Sequence, residues 1–143
     1  MIQFEAVTGY NPNIPQRQTE FSAGYDIEIL KGDTINPKET KVFLTGLKAQ
    51  MNSNVVLQLH IRSSMGIKNN LMLSNTTGII DADYYNNPDN EGHIMIALTN
   101  YGDKPVTLKD NERVAQGIFV EYLKTTYDNP KGKRTGGIGS TAS

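Results

Sequence analysis

Asn75-Thr76-Thr77-Gly78-Ile79-Ile80-Asp81-Ala82-Asp83-Tyr84 joins an apolar pair, Ile79-Ile80, to an acidic turn that ends in an aromatic ring. Apolar residues running into polar turn residues predict the end of a strand and the tip of a hairpin. A hairpin tip faces its amides and carbonyls outward, where a flat ligand can pair with them. A carboxylate such as Asp81, held beside a buried strand, can act as a base, and the Tyr84 ring can cover a planar group. Taken alone, the segment fits an ordinary surface turn with solvated acids better. Four other segments shift that balance.

Outward from this stretch the chain reads as all-β. Short apolar runs lie at 42–47, 55–61, 71–74, 94–98 and 114–123, separated by turn-rich pieces such as Lys31-Gly32-Asp33 and Asn52-Ser53-Asn54. Many short strands with regular turn signals predict a sandwich or barrel. Asp26-Ile27-Glu28-Ile29 and the run 55–61 alternate partly, as half-buried strands do. Only 63–70 invites a short helix. Residues 1–127 form one β domain in this reading. Residues 128–143 are rich in Gly, Lys and Pro and form a flexible arm.

Length, charge and composition narrow the function. The chain has 143 residues and a formal net charge of -1, which suits one domain and gives no support for phosphate-neutralising nucleic-acid binding. It has no cysteine, which excludes disulfides, thiolate catalysis and cysteine-based zinc sites. The opening residues lack the basic and apolar regions of a signal peptide, and no apolar run is long enough to span a bilayer. A cytoplasmic or intracellular protein with no membrane partner is therefore expected.

The four further segments carry candidate chemistry. In the arm, glycine amides with Lys133 and Arg134 could close over an anionic ligand as a nest does; a frayed terminus is the plain alternative. Gly137-Ile138-Gly139 with Ala142 mimics a dinucleotide fingerprint, but only Ser143 follows, which leaves no room for the required helix. Arg62-Ser63-Ser64 after the strand 55–61 offers a planar fork and hydroxyl donors for phosphate; taken alone, it fits a strand end with an N-cap serine better. Ser22-Ala23-Gly24-Tyr25-Asp26 allows close backbone approach and places one carboxylate near a ligand or a hydrated metal. In Glu112-Arg113-Val114-Ala115-Gln116, the polar Arg113 and Gln116 interrupt a buried strand and need partners. A structural salt bridge from Arg113 to a carboxylate would supply one.

Together the five segments resemble, in order and spacing, the five motifs of the trimeric dUTPase family, the deoxyuridine 5'-triphosphate nucleotidohydrolases. The motifs are Ala23-Gly24-Tyr25-Asp26, Arg62-Ser63-Ser64, Asn75 through Gly78-Ile79-Ile80-Asp81 to Tyr84, Glu112 to Gln116, and Gly136-Gly137-Ile138-Gly139-Ser140-Thr141. The resemblance implies a jelly-roll-like β fold and a homotrimer with shared active sites, each arm closing over a neighbour's site. It implies hydrolysis of dUTP to dUMP and pyrophosphate, which removes dUTP and supplies dUMP for thymidylate synthesis. Asp81 is then the general base that aligns the water attacking the α-phosphorus. Asn75 and the backbone of Gly78, Ile79 and Ile80 read uracil, and Tyr84 packs under the deoxyribose and rejects a 2'-hydroxyl. Arg62, Ser63, Ser64 and Gln116, with Lys133 or Arg134, Gly139 and Ser140 from the arm, hold phosphate. Ile138 covers the base, and Asp26 contacts hydrated Mg²⁺ through water.

The chain departs from the family pattern at three points. Ile138 stands where an aromatic residue is usual. The arm's arginine, counted back from that position, falls on Lys133, with Arg134 one place later. Tyr85-Asn86-Asn87-Pro88-Asp89-Asn90-Glu91 intervenes between Tyr84 and Gly92, where the family has Arg and Gly. This extra turn is expected to project beside the site as a plain surface loop, a metal-dependent lid or a protein-binding element. A regulatory protein on the same fold is the alternative function. A related dCTP deaminase would need a glutamate where Ala97 stands. A metal-dependent esterase lacks its histidine pair, since only His60 and His93 are present.

Overall fold

The computed structural model describes residues 1–137. Eleven strands are found among the described residues: β1 (Gln3–Ala6), β2 (Tyr25–Glu28), β3 (Thr34–Ile35), β4 (Thr40–Leu44), β5 (Leu47–Gln50), β6 (Val55–Ile61), β7 (Leu71–Leu73), β8 (Gly78–Ile80), β9 (Met95–Asn100), β10 (Val106–Thr107) and β11 (Arg113–Glu121). One helix, α1 (Ser63–Asn69), follows β6, and a single 3-10 turn (Ala82–Tyr84) follows β8. All strand pairs are antiparallel. They form a four-stranded sheet, β2-β11-β6-β8, a three-stranded sheet, β4-β9-β7, and the two-stranded pairs β1-β5 and β10-β3.

Alternation explains the packing. In β6, Val55, Leu57 and Leu59 point inward while Val56 and Gln58 lie toward the outside. In β9, Ile96, Leu98 and Asn100 are buried and the residues between are not. Both sheets and both smaller pairs feed one apolar cluster, in which Ile27, Leu57 and Leu98 have no exposed surface. Each such side chain contributes about 2 kcal/mol of burial free energy. Asn100 is polar and fully buried, but its amide donates to the carbonyls of Ile35 and Lys104 at 2.9 and 2.8 Å and accepts from Gly102 N–H at 2.9 Å.

Two local expectations change. The run 42–47 is two strands, because Gly46 at φ +72° turns the chain between β4 and β5. The stretch Asn75 to Tyr84 does begin with a strand, β8, but Asp81 is not at a hairpin tip. The reversal is at residues 74–77, β8 pairs back onto β6, and Asp81 leads into the 3-10 turn. Among the described residues, no helix is long and apolar enough to cross a membrane.

Candidate active site

β8 carries the third motif into a cleft of about 310 Å³. Asn75, Gly78, Ile79, Ile80, Asp81 and Tyr84 all line it, together with Arg134 and Gly137 from the arm. Gly78 packs tightly on the paired strand: a Cβ there would sit 3.0 Å from the Leu59 side chain, which would have to give way by a few tenths of an ångström. Ala97 also lines the cleft, so the position a deaminase would fill with a glutamate holds a methyl group.

Tyr84 forms one wall and is 8 % exposed. Its hydroxyl donates to the His93 carbonyl at 2.5 Å and accepts from Asn90 Nδ2 at 2.9 Å. Burial pushes the phenol above its usual range, so it holds its proton and donates. His93 is buried behind it, and its Nε2 accepts from Gly46 N–H at 2.8 Å. Burial holds this imidazole below its usual pKa, which agrees with a neutral ring.

The arm crosses the cleft of its own chain. Arg134 donates to Asp81 and to Asp83, at 2.5 and 2.8 Å, and its guanidinium lies 5.9 Å from the centre of the Tyr84 ring. Gly136 packs so close to Asp89 that a Cβ would meet the Asp89 side chain at 2.9 Å. Of the two arm cations expected at the site, Arg134 lines the cleft and Lys133 does not. Ile138, Gly139 and Ser140 lie outside the described residues.

Asp26, Arg62, Ser63, Ser64 and Gln116 do not line this cleft. They gather at the ends of β2, β6 and β11. The Asp26 carboxylate lies 3.7 Å from Arg62 and 3.9 Å from Arg113, which supplies the structural ion pair expected of Arg113. Gln116 pairs in register with Asp26, and its side chain occupies the space a Cβ on Gly24 would need. The helix N-cap is Arg62 rather than a serine, and it makes no side-chain capping bond. Ser63 and Ser64 therefore open the helix, where backbone N–H groups lack intrahelical partners.

The segment 85–91 does not project. Asn87 is buried, donating to the Tyr84 carbonyl at 2.8 Å and accepting from the amides of Asp89 and Asn90. Glu91 turns back onto Lys48 at 2.9 Å and onto Thr8, and Tyr85 donates to Glu5 at 2.8 Å. The asparagines made this segment read as a loop. Their capacity to satisfy the turn's own backbone is what folds it inward. Asn90, absent from the residues expected at the site, was hidden by that composition. Among the described residues no group of three His, Cys, Asp or Glu side chains could hold a metal.

Comparison with known proteins decides the family. Residues 11–142 match the dUTPase family model. The chain belongs to the dUTPase family. It is 48% identical to the deoxyuridine 5'-triphosphate nucleotidohydrolase of Lactococcus lactis over 143 aligned residues, covering 96% of this chain and 95% of that one. It is 34% identical to the Histophilus somni protein of the same name, covering 80% and 74%. The crystal structure of dUTPase from Streptococcus mutans superposes with a TM-score of 0.81 at 42% identity, covering 86% of this chain and 98% of that one. The all-β dUTPase fold expected from the motifs is the fold observed.

Proposed function

We propose that the chain hydrolyses dUTP to dUMP and pyrophosphate. The observation that carries this reading is the cleft itself, in which Asp81, Asn75, the β8 backbone and Tyr84 converge in a chain of the dUTPase family. Uracil pairs with the β8 backbone and with the Asn75 amide, which can both donate and accept. Cytosine would leave buried polar groups unpaired, a penalty large enough for strong discrimination. Tyr84 packs against the deoxyribose.

Asp81 aligns a water and takes its proton as the water oxygen bonds to the α-phosphorus. The bond from that phosphorus to the bridging oxygen breaks, and its electron pair leaves with pyrophosphate. Positioning and charge neutralisation supply most of the rate, as in other phosphoryl transfers.

The phosphate-holding residues Arg62, Ser63, Ser64 and Gln116 lie away from the cleft of the single chain. A homotrimer in which a neighbour's set faces this cleft completes the site, and an arm exchanged between subunits would bring Arg134 and the residues after it to the nucleotide. The substrate is the Mg²⁺ complex of dUTP. Asp26 is a single carboxylate beside two guanidinium groups, which does not suit a resident metal site, so its contact with the substrate's Mg²⁺ would run through water. A protein partner at segment 85–91, in addition to catalysis, would have to be read through Asn86, Pro88 and Asp89, which are exposed there. Mass measurement of the assembly, with pyrophosphate release from dUTP, tests the reading. A monomer with full activity would remove the shared site.

A further inference from the structure

We propose that Asn90, in the segment that replaces the family's Arg-Gly, is a positioning residue that sets the Tyr84 ring for sugar discrimination. The claim rests on the hydrolase reading above. Tyr84 is held at three points: the His93 carbonyl and Asn90 Nδ2 at its hydroxyl, and Asn87 Nδ2 at its own carbonyl. Asn90 is itself fixed. Its Oδ1 accepts from Asn87 Nδ2 at 2.8 Å and from Gly92 N–H at 3.0 Å. Gly92 N–H can only donate, so the Asn90 oxygen must face the turn and the nitrogen must face the phenol. Gly92 at φ +90° brings the chain back so tightly that a Cβ would meet the Tyr84 carbonyl at 2.8 Å.

The arm passes close by, with no room to spare for a larger residue than alanine at Gly137. A Cβ on Gly137 would lie 3.4 Å from Asn90 Nδ2 and 3.5 Å from the Tyr84 hydroxyl. One amide group therefore bonds to the ring and the turn together and lies beside the path of the arm. A ring that excludes a 2'-hydroxyl by contact works only at a fixed place, and sub-ångström displacement opens the space it denies. Selectivity for the sugar, more than fold stability, is then the sensitive quantity.

Asn90→Asp isolates the donor. It keeps the oxygen that accepts from Gly92 and Asn87, and replaces the nitrogen facing the phenol with a second acceptor. The measurement is kcat/KM for dUTP and for UTP in wild type, Asn90→Asp, Tyr84→Phe and the double variant, with thermal melting alongside. We expect the dUTP-to-UTP ratio to fall roughly tenfold in Asn90→Asp. In the Tyr84→Phe background the same change should move the ratio little, because the hydroxyl it addresses is gone. An unchanged ratio, an equal loss on both substrates, or the same fall in both backgrounds would overturn the proposal. If Asn90→Asp does not fold, Asn90→Ala takes its place in the same comparison. Wild-type protein with no dUTP turnover would sink the hydrolase reading and this claim together. An active wild type with an unaltered Asn90→Asp ratio would sink this claim alone.

Discussion

Arg134 and Asp81 face each other across the mouth of the cleft, guanidinium nitrogen to carboxylate oxygen at 2.5 Å, with Asp83 on a second nitrogen at 2.8 Å. The Arg134 side chain is only 11% exposed, although residues on either side of it in the arm are open to solvent. A guanidinium that binds two carboxylates has the geometry to bind phosphate oxygens in their place. Arg134→Ala should therefore lower kcat/KM for dUTP by about 10- to 100-fold. Lys133→Ala should leave it within about twofold. Steady-state kinetics on the two variants separates the neighbouring cations, and the reverse ranking would place the phosphate contact on Lys133.

Asp81→Asn keeps the shape of the side chain and removes the base. Turnover should fall by roughly 10²- to 10⁴-fold, while a nonhydrolysable dUTP analogue still binds. Pyrophosphate release and calorimetric titration check the two halves. Comparable turnover in the variant would remove Asp81 from its role.

The arm's seat depends on a missing side chain. Gly136→Val would drive a Cβ into Asp89 and prevent the arm from lying across the cleft. Activity should fall toward that of a chain truncated before Lys131, with the melting temperature of the β domain unchanged. Full activity in either variant would show that the arm is not a lid.

Tyr84→Ala removes the wall beside the sugar. UTP turnover relative to dUTP should rise by about 10-fold or more. Unchanged discrimination would mean that the sugar is read elsewhere.

His93 links the site to pH. Its folded pKa is held below the ordinary value of 6.5 by burial, partly opposed by the Glu91 carboxylate, and the Tyr10 ring packs edge-on against it. A depressed folded pKa means that the unfolded chain takes up the proton first as pH falls. The stability contributed by neutral His93 is thus present above about pH 6.5 and is lost as pH falls through the folded pKa. Thermal melts between about pH 7.5 and pH 5 should show this loss, and His93→Gln should flatten it. The carboxylates of Glu5 and Glu91 are lowered from 4.5, so they act below this window.

The strands of this fold were largely legible. β6 and β9 fall close to their apolar runs, since period-two alternation and turn residues report local structure directly, and α1 falls in the one stretch that invites a helix. The motif residues of the cleft were legible as well. What escaped was tertiary. Gly46 was one glycine among many until its φ showed it dividing β4 from β5. Asp81 read as a hairpin tip because the partner of β8 is β6, about twenty residues earlier, which no local pattern reveals. The segment 85–91 read as a projecting loop because buried asparagines and exposed ones have the same composition. Short strands such as β3 and β10 carry too few residues for a periodic signal.

Pyrophosphate release from dUTP, with dCTP, dTTP and UTP alongside, first in Mg²⁺ and then in EDTA, measures dUTP hydrolysis and its specificity in one experiment. Release from dUTP alone, sharply reduced by EDTA, is the expected result. Equal release from dCTP or UTP, or none from dUTP while the nucleotide still binds, would contradict it.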